Sequence, residues 1–292
     1  MFIRNTFALP NALSIRVLGC EITLNCQASG GLDLLRQNYS RMECGNSEAP
    51  ELEYSIHASA KGSRFRITRK GCSPLVASDD AELLYVMEKD LTIELQKRRR
   101  DLYFLHAAAL AVSQNAFLLV ARSGGGKSTT TWGLLHYGFS YLSDELSPVN
   151  LTTMEVHSYP HAICLKREPP CAYPVPADTV RTSRTLHIPT HELRVRCDPT
   201  MLRCIFFLDF CAEAKWPLLR KLSSGEAAAR LFAQALNPLA HIEDGLAGAA
   251  SLAESVPCFY LYSADLRLTC ELIAKTVRFV AIERGVSDVD VR

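Results

Sequence analysis

The alternation of apolar and polar residues changes character along the chain. Up to about residue 77, short period-two runs dominate, at 14–18, 21–24, 52–57 and 64–68, parted by turns containing glycine and asparagine. Such runs predict strands, so residues 1–77 are expected to form a β-rich N-terminal region. From Ser78 the period lengthens: Leu84, Met87, Leu91 and Leu95 recur every three or four positions and predict an amphipathic helix. Ser78 and Asp79 are suited to cap it, and Asp80 and Glu82 suit its first turn. The basic run Lys97-Arg98-Arg99-Arg100 falls where cations complement the helix dipole. That placement reads as a solvated helix end; the competing reading is a phosphate or acidic-partner patch.

The next segments alternate. Strands are expected at 104–112 and 117–121, a helix at 127–136 stopped by Gly138, and strands at 140–142 and 146–151. Further on come a strand at 204–210, a helix at 225–236, a strand at 258–262 and a helix at 265–283. Strands interleaved with helices predict an α/β domain over residues 78–292. Residues 166–190 interrupt the pattern with Pro169, Pro170, Pro174, Pro176 and Pro189, which predicts a long irregular loop. Its Arg167, Arg181 and Arg184 could act as a charge clamp or simply as exposed arginines.

Composition adds exclusions. Apolar residues make up 48% of the 292 positions, enough for a large core, and no apolar run is long enough to span a bilayer. Lys+Arg at 32 nearly balances Asp+Glu at 31, which argues against nucleic-acid or membrane partners held by bulk charge. The eleven cysteines are odd in number and contain no C-x-x-C pair, so a fully paired disulfide framework is excluded. Cys164, Cys204, Cys258 and Cys270 lie in apolar runs, as buried thiols do, and a cytoplasmic location is expected. Val17-Leu18-Gly19-Cys20 has a faint lipoprotein look, but Pro10, Asn11 and Arg16 break the apolar stretch a signal needs, and a strand ending at Cys20 is expected instead.

The chemistry concentrates after residue 100. Ala121–Ser128 follows the pattern G-x-x-x-x-G-K-[ST] except at its first position, where alanine stands for glycine. The motif falls between an apolar strand and a helix, the context in which a glycine-rich turn presents backbone N–H groups to a polyphosphate. Ser123, Gly124, Gly125, Gly126, Lys127, Ser128 and Thr129 are therefore the candidate nucleotide-binding residues. Lys127 would reach the β/γ-phosphates, and the Ser128 hydroxyl would ligate a magnesium ion. Two acidic candidates compete to complete such a site. Asp209 ends the apolar run 205–208, and the pair Asp144-Glu145 follows the first strand after the helix. A pair of acids offers a metal ligand and a proton acceptor together. His106 is either a core histidine or a neighbour of Asp144 that orients its carboxylate.

Taken in order, Leu105–Ala109, Ala121–Thr129 and Leu142–Leu146 resemble segments of the HPr kinase/phosphorylase-like family, as do 159–166 and 256–261. The resemblance covers roughly residues 80–285. It implies a P-loop core of the HPr kinase and phosphoenolpyruvate carboxykinase type, behind the β-rich N-terminal part. It implies an ATP- and Mg²⁺-dependent kinase acting on a serine hydroxyl of a protein or peptide. By position, His106, Lys127, Asp144 and Glu145 would be catalytic, and Ser128, Asp144 and Glu145 would hold the metal. Glu145 stands where the family has a second aspartate, which leaves the division between base and metal ligand open. The downstream signature for dephosphorylation is missing, so a kinase without phosphorylase activity is expected. Two alternatives stay open: a nucleotide-gated binding module without transfer, and a kinase for small-molecule hydroxyls. A homo-oligomer is also open.

Overall fold

The structure, a computed structural model, describes residues 11–45, 49–59, 64–191 and 193–283. The expected N-terminal region and C-terminal domain therefore extend, at 1–10 and 284–292, outside the described residues. The fold is mixed α/β with three sheets. Among the described residues no helix is long and apolar enough to cross a membrane.

The first sheet has the order β1-β2-β3-β4-β5, formed by β1 (Ala12–Val17), β2 (Cys20–Cys26), β3 (Leu52–Ala58), β4 (Phe65–Arg69) and β5 (Leu75–Ala77). Its pairs are antiparallel except β2 with β3, which run parallel. The helix α1 (Gly31–Tyr39) joins those two, as a parallel crossover requires. Across this sheet lies α2 (Asp80–Arg98), whose start is closed by the side chains of Asp79 and Glu82. The Asp79 carboxylate accepts from the Glu82 amide, and Glu82 accepts from the Ser78 amide and hydroxyl. Leu84, Met87, Leu91 and Leu95 pack into one core with Ile15, Ile22, Ile56 and Phe65. Phe104, Leu146 and Tyr159 from further along the chain join the same core. The basic run at the end of α2 is engaged locally: Lys97 and Arg98 pair with Glu94, and Arg99 pairs with Asp101.

The second sheet contains β6 (Tyr103–Leu105), β7 (Ala107–Val112), β8 (Asn115–Ala121), β9 (Ser140–Ser143), β10 (Ser147–Asn150) and β11 (Glu155–Val156). Between β8 and β9 comes α3 (Lys127–Leu135). A third, small sheet of order β12-β14-β13 follows, from β12 (Ile163–Leu165), β13 (Val180–Arg181) and β14 (Leu186–Ile188). The chain then returns to the second sheet with β15 (Thr200–Phe210) and β16 (Leu218–Lys221), passes through α4 (Ser224–Phe232) and α5 (Leu246–Ser255), adds β17 (Cys258–Ser263), and ends in α6 (Leu266–Glu283).

At the centre of the second sheet β8, β15 and β17 run parallel, with Leu118 beside Ile205 and Ile205 beside Cys258. Parallel strands covered on both faces read as unbroken apolar runs, as these do. Alternate residues serve different faces. Ala116, Leu118 and Val120 join the core beneath α4 and α5, while Phe117, Leu119 and Ala121 join the core beneath α3 and α6.

Two expectations need correction. The run 104–112 is not one strand but two, split at His106. In the order β6-β10-β11-β15-β8-β7-β9, β6 and β7 stand five places apart. Flat, at roughly 4.8 Å per strand, that is ~24 Å, while the single intervening residue spans under ~8 Å. The sheet must therefore roll until its two parts meet. The Ser147 hydroxyl donates to the Ala107 carbonyl across that seam, and the His106 amide donates to the Gln234 carbonyl. Second, the segment 166–190 is not wholly irregular. It carries β13 and β14, whose two or three residues each are too short to leave a periodic signal among the prolines.

Candidate active site

The glycine loop leaves the carboxyl end of β8, where Ala121 lies beside Leu208 of β15. Crevices at the carboxyl ends of parallel strands are the usual ligand sites of such sheets. Gly124 and Gly126 take the left-handed backbone, with φ of 83° and 89°, a conformation costly for any residue with a side chain. The turn closes through the Gly125 amide on the Arg122 carbonyl at 2.8 Å. Helix α3 begins at Lys127 with no side-chain cap, leaving its first amides available to an anion.

The loop forms one wall of a cavity of about 1220 Å³. Ser123, Gly124, Gly125, Gly126, Lys127, Ser128 and Thr129 all line it, together with His106, Glu145 and Asp209. Opposite in sequence, the helix α2 contributes Tyr85, Lys89 and Ile93, and the third sheet contributes Cys164, Lys166 and His187.

Asp144 is different, because its side chain is wholly buried. Lys127 lies over it: Nζ donates to the Asp144 carbonyl and stands 3.4 Å from Oδ1 and 3.8 Å from Glu145 Oε1. Asp144 Oδ2 is buried and has no hydrogen-bond partner. Glu145 reaches the same ammonium from the more open side, its side chain 42% exposed. Of the two readings of His106, core residue or neighbour of the acidic pair, its position on the cavity wall fits the second, with Nε2 3.9 Å from Glu145.

Electrostatics follow from these placements. Burial would raise the Glu145 carboxyl, but Lys127, then His106, His161 and Lys166, outweigh it and hold the group below its ordinary range. Burial, followed by the Lys127 charge, lowers His106, so its imidazole is neutral near pH 7. Asp209 lies in the same cavity but is otherwise engaged. It accepts from the Tyr260 hydroxyl and stands 3.6 Å from Arg122. Among the described residues no group of three His, Cys, Asp or Glu side chains is arranged to hold a metal alone. Magnesium does not need one, since it is commonly bound by one or two carboxylates plus substrate phosphates. The orphaned Asp144 oxygen, the adjacent Glu145 and the Ser128 hydroxyl fit that kind of site.

Two residues near the loop fall in the resembling segment 159–166 but are given no role by the sequence reading. Lys166, directly after β12, donates to Ser123 Oγ at 2.8 Å across 43 residues. His161 is buried at the cavity wall with Nε2 unpartnered. No spacing in the segment points to a role; it is brought to the loop by packing of β12 on α3 and by hydrogen bonds to β9, with the Tyr141 hydroxyl donating to the His161 carbonyl and the Tyr159 amide to the Leu142 carbonyl. Of the loop arginines, Arg167 and Arg184 line the cavity and Arg181 pairs with Glu168.

No family model matches the chain, and no curated protein matches it. Among solved structures, it is similar to the HPr(Ser) kinase/phosphatase from Coxiella burnetii, at 11% identity and a TM-score of 0.33. That alignment covers 62% of this chain and 97% of the other. The likeness is distant, and the functional reading rests on the geometry of the cavity.

Proposed function

We propose that this chain is an ATP-dependent kinase that transfers the γ-phosphoryl group to a serine hydroxyl of a protein or peptide. In this reading a P-loop core of the HPr kinase type follows a β-rich N-terminal region of about 77 residues. The observation that carries it is the convergence on one cavity of a glycine loop with left-handed residues at a strand-to-helix junction, a lysine opening the helix, and Glu145, with Asp144 buried behind that lysine. Phosphoryl transfer asks little covalent chemistry of a protein and rests on positioning and charge stabilisation, which this arrangement supplies.

The loop amides and Lys127 hold the phosphate chain. Ser128, Asp144 and Glu145 would hold Mg²⁺, which when bound offsets negative charge on the phosphates. Glu145, facing the cavity, receives the acceptor hydroxyl and takes its proton. His106 orients that carboxylate from 3.9 Å. Asp144, buried, anchors Lys127 and stays out of acceptor contact. Cavity volume beyond what a nucleotide fills leaves room for the acceptor between the loop and α2.

The test is incubation with γ-labelled ATP, Mg²⁺ and serine-containing peptides. Label on peptide serine, abolished in Lys127→Met, is the expected result. Intact ATP and unlabelled peptides overturn the reading. Label on a free amino acid or sugar moves the protein to a small-molecule kinase.

A further inference from the structure

We propose that Lys166 is a second polyphosphate-binding cation, delivered to the glycine loop by the small sheet. The inference rests on the nucleotide-binding reading above and deepens it. Lys166 follows the last residue of β12, is exposed, and lines the cavity. Its Nζ donates to Ser123 Oγ, inside the loop, at 2.8 Å. An ammonium carries three donors and accepts nothing, so a neutral hydroxyl leaves most of its bonding capacity unused. A phosphate oxygen at the same loop is the stronger partner, because both charges then assist the bond.

Of the cations nearest the loop, Lys127 is held by Asp144 and Arg122 faces Asp209, while Lys89, Arg167 and Arg184 line the cavity further along and none of them bonds to the loop as Lys166 does. Lys166 is bonded only to a hydroxyl of the loop itself. Two lysines from separate elements, one opening α3 and one closing β12, thus converge on the loop. The ligand this suits is the phosphate chain of a nucleoside di- or triphosphate. The neighbouring pairing carries a mechanical corollary. β12 is bonded to β14 from Ile163 with Ile188 to Leu165 with Leu186, so a ligand that grips Lys166 also steadies the small sheet.

The test is calorimetric titration of ATP, AMP and inorganic tripolyphosphate into the wild type, Lys166→Met and Lys166→Arg. The side chain is exposed, so neither variant threatens folding. Lys166→Met should bind ATP and tripolyphosphate about tenfold more weakly, bind AMP within about twofold of wild type, and regain most of the loss as Lys166→Arg. Unchanged ATP affinity in Lys166→Met overturns the inference, as does an equal loss for ATP and AMP. A loss for ATP without one for tripolyphosphate also overturns it, since the contact would then be to the nucleoside. Wild-type protein that binds none of the three strikes down the nucleotide reading itself. Amide exchange supplies a second readout: ATP should slow exchange at 163–165 and 186–188 in the wild type and not in Lys166→Met. Equal slowing in both proteins counts against the coupling.

Discussion

Glu145 and Asp144 are neighbours in sequence with opposite surroundings, and this contrast sets the most direct test at the residue scale. Glu145→Gln keeps the shape and removes the proton acceptor. Transfer to a peptide serine should fall by roughly 10²–10⁴-fold, with ATP affinity reduced far less, read from single-turnover rates and titration. A variant that transfers at the wild-type rate would remove Glu145 from the chemistry. His187 sets a second test. Burial, helped by the charge of His161, depresses its imidazole from 6.5 to about 4, and Nε2 lies 2.9 Å from Thr185 Oγ1. The folded state thus binds this proton less readily than the unfolded chain. Its contribution is complete above about pH 6.5 and is lost as the pH falls through 4, amounting to ~3 kcal/mol. Urea midpoints measured across that window should fall more steeply for the wild type than for His187→Gln. Parallel slopes would show that His187 protonates freely in the fold. The strand–turn–helix geometry of the glycine-rich segment was legible because it is local, one strand, one turn and one helix start in eight residues. Lys166 and His161 were not, because their partners lie elsewhere in the chain.

At the scale of elements, α3 must sit close to α6 to hold the loop in place. Gly133 makes that approach: a Cβ there would stand 2.8 Å from Cys270 Sγ and 3.1 Å from Leu266 Cδ1. Both neighbours belong to α6, and Cys270 is fully buried. Replacing glycine by alanine brings a helix-propensity gain of about 1 kcal/mol that blurs the outcome. Valine does not have that ambiguity. Gly133→Val should lose about 1–3 kcal/mol in denaturant unfolding; a variant as stable as wild type would show that the two helices yield there. Long elements were readable in the sequence for the same reason they are stable. The α2 stripe and the β8 and β15 runs each bury a whole face. The elements that were missed bury little or are brief. Helix α1 is nine residues opened by Gly30 in the left-handed region, and α5 is so rich in alanine and serine that its apolar side gives no clear period. The split at His106 was invisible because the residues on both sides are apolar; only the partners they choose separate β6 from β7.

For the molecule as a whole, the cavity joins parts that fold into different cores. α2 packs on the first sheet, the glycine loop belongs to the second, and Lys166 follows the third. A ligand that touches all three stabilises them together. At ATP concentrations a hundred times its dissociation constant, unfolding free energy should rise by ~2.7 kcal/mol. Scanning calorimetry should show that rise in the wild type and lose it in Lys127→Met; an equal shift in both would place ATP elsewhere. The α/β class was legible from the alternation of strands and helices. The rolled order of the second sheet was not, because strand order is set by pairings between distant segments. One such pairing has a consequence for biosynthesis. β8, which carries the glycine loop, is completed on one side by β15, from Asn115 beside Met201 onward. That partner is translated about 86 residues later, so at 5–20 residues per second β8 waits roughly 4–17 s on the ribosome with that apolar edge unmatched. During that interval the nascent chain is a natural client for a holdase, and slowing translation between these two strands should lower the yield of soluble protein.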